Sequence, residues 1–126
     1  MSTQKVLVIV AHTDDESFGC GGLIKSLSLR KNKIFAMSFT NGVGARKSQN
    51  LKQIKSRKNA SDKAAKILGF EWVSRLDYPD NELDKISLLT ITKKIEIIKD
   101  KIKPDLVITH NYSDLNIDHR KVFEAV

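Results

Sequence analysis

The sequence has 126 residues, 40% hydrophobic and 29% charged, a length that suits one domain with a modest core, predicted to span residues 1–126. Its apolar runs are too short to cross a bilayer and no signal-peptide pattern precedes them, so we expect a cytoplasmic protein rather than a membrane-spanning one. The lone cysteine, Cys20, has no partner for an internal disulfide, which agrees with a reducing compartment.

The formal net charge is +7, from 22 basic and 15 acidic residues. Such a balance is compatible with nucleic acid, anionic lipid or an acidic substrate as a partner. The lysines, however, are dispersed along predicted helices with few aromatic residues between them, a pattern typical of solvated helix faces. We therefore do not expect nucleic acid as the main partner. A basic nucleotide- or nucleic-acid-binding α/β domain is kept as an alternative hypothesis.

The first predicted strand covers residues 6–10 and is followed at once by His12, Asp14, Asp15 and Glu16. A short, uninterrupted apolar run predicts a strand buried on both faces of a parallel sheet. The charged residues thus begin at the carboxyl end of the strand, where ligands bind in open α/β sheets.

A glycine-rich helix is predicted next, over residues 17–30, with Gly19, Gly21 and Gly22 in its first turns. A glycine-rich start also suggests a dinucleotide fold. The full Gly-x-Gly-x-x-Gly spacing is missing, however, and the carboxylates of residues 14–16 would repel a pyrophosphate.

Further elements alternate along the chain: strand 34–40, a turn at 41–44, helix 48–68, strand 72–76, helix 88–102, strand 106–109, and the first turns of a helix from residue 121. The turn at 41–44 is either a simple connection or a rim of a substrate cleft. The alternation predicts an α/β fold: a Rossmann-like three-layer sandwich with a mostly parallel sheet, whose first and fourth strands are neighbours. That arrangement would bring the charged residues after both strands together.

The second charged cluster, residues 110–119, follows the fourth strand and contains His110, Asp114, Asn116, Asp118 and His119. Histidine and carboxylate together suit a divalent metal such as zinc. Within the first cluster, His12 and Asp15 are close enough in sequence to meet one ion, whereas Asp14 would point elsewhere and stay free to act as a base. His110 is either a hydrogen-bonding residue at the strand end or part of the site, and Asp114 suits an Asx turn.

A strand ending in Ala-His-x-Asp-Asp-Glu, a helix opening with glycines, and a distant Asp-His pair resemble the PIG-L/LmbE-like zinc-dependent de-N-acetylase family, from about Lys5 onward. The resemblance implies hydrolysis of the acetamide of an N-acetylated amino sugar or its conjugate, with Zn²⁺ as cofactor. It implies metal ligation by His12, Asp15 and His119, and Asp14 as general base. The ligand set also tolerates Fe²⁺.

The resemblance also implies supporting roles for other residues. Asp118 would steady the group on the oxyanion side, and Glu16 would be a nearby supporting charge. Arg57 falls where related enzymes carry a substrate-binding arginine, and Asp80 lies in a Pro-Asp loop similar to one at the family's cleft.

Three features depart from the common family pattern. Thr13 replaces a proline, and Asn116 replaces a histidine that stabilises the oxyanion, so either His110 takes over that role or the barrier rises. The sequence also stops at Val126, soon after His119, where family members continue. We therefore expect a fold incomplete at the C-terminus: a fragment of a longer enzyme, or a short form completed by a partner or by self-association. A catalytically inactive metal- or sugar-binding fragment is the second hypothesis.

Overall fold

The computed structural model describes residues 2–42 and 51–126. Strands and helices alternate along them, as the sequence predicted. The elements are β1 (Lys5–His12), α1 (Asp15–Leu29), β2 (Lys33–Thr40), α2 (Leu51–Leu68), β3 (Glu71–Tyr78), a 3₁₀ turn (Leu83–Lys85), α3 (Leu88–Ile102), β4 (Leu106–Ile108) and α4 (Ile117–Ala125).

The four strands form one parallel sheet in the order β3-β2-β1-β4. This confirms the predicted Rossmann-like α/β class and the predicted neighbourhood of the first and fourth strands. Strand β1 pairs with β2 and β4 along its two edges, and helices cover both of its faces, so residues 6–11 are at most 4% exposed. An uninterrupted apolar run is what such a doubly covered strand requires.

Helices pack on both faces of the sheet and create two hydrophobic cores. On one face, Ile24 of α1 and Ala65 of α2 pack with the side chains of Val6, Val8 and Val10. On the other face, the core contains Leu7, Ile9, Ile91 and Ile95 together with Val122 of α4. The chain therefore has three layers, with the carboxyl ends of all four strands at one edge of the sheet.

Several element boundaries differ from the sequence prediction. Strand β1 extends to His12, and α1 begins at Asp15 rather than at residue 17. Helix α4 begins at Ile117 rather than at residue 121, because Asn116 caps its N-terminus. Residues 43–50, which include part of the predicted turn and the predicted start of the second helix, lie outside the described residues. Of the helices in the described ranges, none combines the length and apolarity that a membrane span requires.

Candidate metal centre and active site

The site lies where β1 and the segment after β4 run side by side. Beyond the paired residues of β4, the Thr109 hydroxyl donates to the Ile9 carbonyl at 2.9 Å, and the Ala11 N–H donates to His110 Nε2 at 2.9 Å. These two bonds hold residues 109 and 110 against β1, although the regular pairing of β4 ends at Ile108. The second charged cluster therefore begins directly beside the first, as the sheet order predicted.

Three potential ligand atoms converge on one point between the clusters. His12 Nδ1 lies 3.1 Å from Asp15 Oδ2 and 3.1 Å from His119 Nε2, and the latter two atoms are also 3.1 Å apart. Ligands bound at about 2.0–2.1 Å to zinc are separated by roughly 3.3 Å in a tetrahedron and 2.9 Å in an octahedron. The observed triangle falls between these values, so these residues fit a divalent metal.

Carboxylates behind the two histidines fix their tautomers. His12 Nε2 lies 2.9 Å from Asp118 Oδ2 and 2.8 Å from Asp80 Oδ1, and His119 Nδ1 lies 2.8 Å from Asp114 Oδ2. When each of these nitrogens donates to its carboxylate, the opposite ring nitrogen presents its lone pair to the shared point. Histidine ligands of metals are usually oriented by such a carboxylate.

The electrostatics of this cluster favour a bound cation. Burial alone would lower the pKa of His12, but hydrogen bonds to Asp118 and Asp15 and the charge of Asp80 raise it to about 10. Burial would raise the pKa of Asp15, and its hydrogen bonds with His12 lower it overall. Protons and a metal compete for the same donors, so we expect metal binding to weaken as the pH falls.

Two other groups within the described residues also have metal-ligand spacing, and both overlap the first. One is His110, Asp114 and His119, and the other is His12, Asp80 and Asp118. Asp118 is fully buried and accepts the backbone N–H groups of residues 81 and 83, at 2.7 and 3.0 Å. Its oxygens are thus already engaged in holding the turn that carries Asp80, which disfavours a second ion there.

His110 contributes structure around His119. Its ring stacks on that of His119 at a centroid distance of 3.9 Å and an interplanar angle of 10°. Because His110 Nε2 accepts the N–H of Ala11, that nitrogen carries no proton, and burial followed by the charge of His119 lowers the pKa of His110 to about 4. The hydrogen bond from Ala11 and the lowered pKa both favour a neutral imidazole at His110 over a cationic one.

Asn116, which stands at the position of that family histidine, is the N-cap of α4. Its carboxamide oxygen accepts the N–H groups of Asp118 at 2.9 Å and His119 at 3.2 Å. Asparagine is a favoured N-cap because its oxygen pairs with backbone donors that a helix start leaves free. In this structure Asn116 stabilises the first turn of α4, and that turn carries Asp118 and His119.

We expect Asn116→Ala to lower the free energy of unfolding by about 1 kcal/mol and to weaken metal binding, because the turn carrying His119 loses its cap. Urea unfolding and a metal titration measure the two effects, and Asn116→Ser should largely preserve both. Ser87→Ala is the matched control, since Ser87 caps α3 through the Thr90 N–H at 3.1 Å. That variant should lose similar stability without losing metal affinity, and equal loss of metal affinity in the two variants would contradict this account.

Asp14 and Arg57 lie at the mouth of the site. The Asp14 side chain is 44% exposed, and Arg57 Nη2 lies 3.5 Å from its Oδ2. A cavity of about 460 Å³ opens beside them, lined among others by Thr13, Thr40, Arg57 and Trp72. Asp14 therefore faces solvent-accessible space while Asp15 turns inward, the division that the sequence predicted. Glu16, in contrast, is fully buried in the first turn of α1.

Two contacts of the site were missed by the sequence analysis. Asp80 was assigned to a substrate contact or to its turn, yet its carboxylate reaches the His12 ring. Asp114 does form an Asx turn with Asn116, at 3.0 Å, but its second oxygen also holds His119. For the contact between Asp114 and His119, the sequence offers one indication: the two residues are only five positions apart.

We expect Asp114→Asn to weaken metal binding by about tenfold or more, because the charge behind His119 raises the basicity of that ligand. Asparagine keeps an acceptor for the Asx turn, so the loop itself should survive. Competition with a fluorescent chelator measures the affinity. Glu124→Gln on the same helix, where Glu124 pairs with Lys121 at 3.2 Å, is the matched control and should bind metal normally. Unchanged affinity in Asp114→Asn would show that Asp114 does not act through His119.

Comparisons with known proteins match most of the chain. The sequence model of the family described as PIG-L: GlcNAc-PI de-N-acetylase matches residues 7–126. The "Uncharacterized deacetylase YaiS" of Escherichia coli (strain K12) is 31% identical over 129 residues, which cover 95% of this chain and 64% of that protein.

Solved structures show the same fold. The N,N'-diacetylchitobiose deacetylase from Pyrococcus horikoshii superposes with a TM-score of 0.82 at 26% identity, covering 98% of this chain and 48% of that one. GalB, the 4-carboxy-2-hydroxymuconate hydratase from Pseudomonas putida KT2440, superposes with a TM-score of 0.74 at 20% identity, covering 98% and 54%. The chain spans less than two thirds of the length of each of these three proteins.

The match over residues 7–126 confirms the resemblance that the two sequence motifs predicted. This chain therefore belongs to the PIG-L family of GlcNAc-PI de-N-acetylases.

Proposed function

We propose that this protein is a metal-dependent de-N-acetylase that removes the acetyl group from an N-acetylated amino sugar or its conjugate. The observation that carries the proposal is the convergence of His12 Nδ1, Asp15 Oδ2 and His119 Nε2 at mutual distances of 3.1 Å, with Asp14 next to Asp15 in the chain but outside the ligand group. Family membership supports it, as does the similarity to a protein described as a diacetylchitobiose deacetylase.

The three converging residues would hold the cation. Two imidazoles and one carboxylate suit Zn²⁺, and Fe²⁺ accepts the same ligands, so zinc is proposed first and iron second. A divalent metal held there supplies Lewis-acid polarisation of an acetamide carbonyl and acidifies a water molecule. Asp118, Asp80 and Asp114 keep both histidine rings in the orientation that ligation needs.

Asp14 is the proposed general base. Its side chain lies outside the ligand triangle, and Arg57 is the described side chain that its carboxylate meets. Asp14 would take a proton from the attacking water and return it to the departing amine, which otherwise leaves as an unstable anion. A carboxylate free of the metal is needed for this step, since a ligated oxygen is a weaker base.

Substrate recognition is proposed for Arg57 and Asp80. The Arg57 guanidinium borders both Asp14 and the cavity of about 460 Å³, a volume that accommodates a sugar ring. Guanidinium N–H groups and carboxylates are suited to sugar hydroxyls because they offer several donors and acceptors in fixed directions. The Asp80 carboxylate lies 2.8 Å from His12 Nε2, so this residue would contact the substrate close to the metal ligands.

The direct test is acetate release. The metal-reconstituted protein would be assayed on N-acetylglucosamine, N,N'-diacetylchitobiose and an N-acetylglucosamine conjugate, with chelator-treated protein as control. We expect release from at least one substrate that chelator abolishes and added Zn²⁺ or Fe²⁺ restores. Stoichiometric metal and sugar binding without any acetate release would support the alternative of a catalytically inactive binding fragment.

A further inference from the structure

Gly42 lies against the guanidinium of Arg57. It follows the last residue of β2 by two positions and has a φ of +70°. A Cβ atom at this position would lie 2.6 Å from Arg57 Nη2, 2.9 Å from Cζ and 3.0 Å from Nε. Cβ atoms do not approach other atoms this closely, so a side chain at residue 42 would require the Arg57 guanidinium to shift from this place.

The ion pair with Asp14 does not fix the position of Arg57 by itself. Arg57 Nη2 and Asp14 Oδ2 are 3.5 Å apart, and the two side chains are 40% and 44% exposed. Exposed pairs of this kind contribute little to holding two side chains in one geometry. Arg57 Nε, in contrast, is buried and has no hydrogen-bond partner among the described residues. The place of the guanidinium therefore depends on packing as well as on charge, and the Gly42 backbone lies directly against it.

We propose that Gly42 is a positioning residue: it seats the Arg57 guanidinium beside Asp14 and so aligns both at the mouth of the site. Any side chain at residue 42 moves the guanidinium away from Asp14. The kinetic consequence rests on the proposed function, whereas the structural consequence does not. The sequence left the turn at 41–44 open as either a connection or a rim; the proposal makes residue 42 of that turn part of the site, and residues 43 and 44 lie outside the described residues.

Glycine at residue 42 has a second explanation, namely that the positive φ favours glycine whatever its neighbours are. The choice of variant separates this explanation from the contact with Arg57. Asparagine adopts positive φ more readily than other residues with side chains, as Asn81 does here at φ 60°. Gly42→Asn therefore limits backbone strain while it retains the clash with Arg57. Gly69→Asn is the matched control, because Gly69 has a φ of +85° but its Cβ would meet Ser28 instead.

The structural readout is the NMR signal of the Arg57 Nε–H group, assigned by its disappearance in Arg57→Lys. We expect this proton to be protected from solvent exchange in the wild type and in Gly69→Asn, and to exchange at least tenfold faster in Gly42→Asn. Equal protection in Gly42→Asn and wild type would overturn the proposal. This measurement requires no substrate, so it decides the positioning role even if no deacetylase activity is found.

The kinetic readout is a double-mutant cycle on acetate release. Gly42→Asn and Arg57→Ala should each lower kcat/KM, by about tenfold for the former, and the double variant should be no worse than Arg57→Ala. Additive losses would show that Gly42 acts independently of Arg57 and would overturn the proposal. Absence of acetate release from the wild type would instead count against the proposed function.

Discussion

Asp14→Asn is expected to lower the rate of acetate release by about two to four orders of magnitude while the bound metal stays at one equivalent. Removal of a positioned general base typically has an effect of this size. The amide of asparagine accepts no proton, and Asp14 lies outside the triangle formed by His12, Asp15 and His119. Chemistry and metal binding should therefore separate in this variant. Elemental analysis and an acetate assay on the same preparation measure both.

Asp100→Asn is the matched control for this substitution. Asp100 is an exposed carboxylate near the end of α3, close to the amino end of β1 and thus at the opposite edge of the sheet. The Asp100→Asn variant should release acetate at the same rate as the wild type. Retained turnover in Asp14→Asn would remove Asp14 from the role of base, and simultaneous loss of metal would place it among the ligands instead.

His12→Ala is expected to reduce the bound metal from one equivalent to nearly none and to abolish acetate release with it. The imidazole supplies one of three ligands, and the other two cannot fix an ion in a defined position. The same change also affects folding, because the fully buried Asp118 loses its side-chain partner. A buried charged group without its partner costs about 1–3 kcal/mol or more, so the free energy of unfolding of the metal-free protein should fall by at least this amount.

His119→Ala separates these two effects. It removes a ligand as well, but the carboxylate it leaves behind, Asp114, is 33% exposed and is solvated by water. We expect this variant to lose metal as His12→Ala does, with a smaller loss of stability in urea unfolding. Equal metal content in His12→Ala and wild type would contradict the assigned ligand set.

The fold and the neighbourhood of the two clusters were predictable because they depend on local patterns. Residues 6–10 read as a buried strand from composition alone, and charges directly after a strand mark the ligand-binding edge of a parallel sheet. Helix and strand boundaries were less predictable. The start of α4 was missed although Asn116 and the acidic Asp118 are a typical N-terminal helix signature, because Asn116 was interpreted as a substitute for a catalytic histidine.

The contacts behind the ligands were not predictable from the sequence. Asp80 reaches His12 only because the turn at residues 80–83 is tied to Asp118 through two backbone N–H groups. That approach joins residues far apart in the sequence, and no local pattern encodes it. The stacking of His110 on His119 was equally unpredictable. It depends on the hydrogen bond by which Ala11 of β1 holds the His110 ring, and these two residues are far apart in the sequence.

The fold alone does not determine the reaction. A protein described as a hydratase has the same fold as this chain, with a TM-score of 0.74. Function on a common fold depends on the site residues and their arrangement. For the proposed function the deciding features are the ligand triangle and the separate carboxylate of Asp14, which are carried by the end of β1 and the starts of α1 and α4.

The most direct test of this account is a crystal structure of the metal-reconstituted protein with anomalous data collected at the metal's absorption edge. We expect a single peak at about 2.0–2.2 Å from His12 Nδ1, Asp15 Oδ2 and His119 Nε2. A peak bonded instead to His110 and Asp114, or to Asp80 and Asp118, would contradict the assigned ligand set. No peak after reconstitution would contradict the metal-dependent mechanism itself.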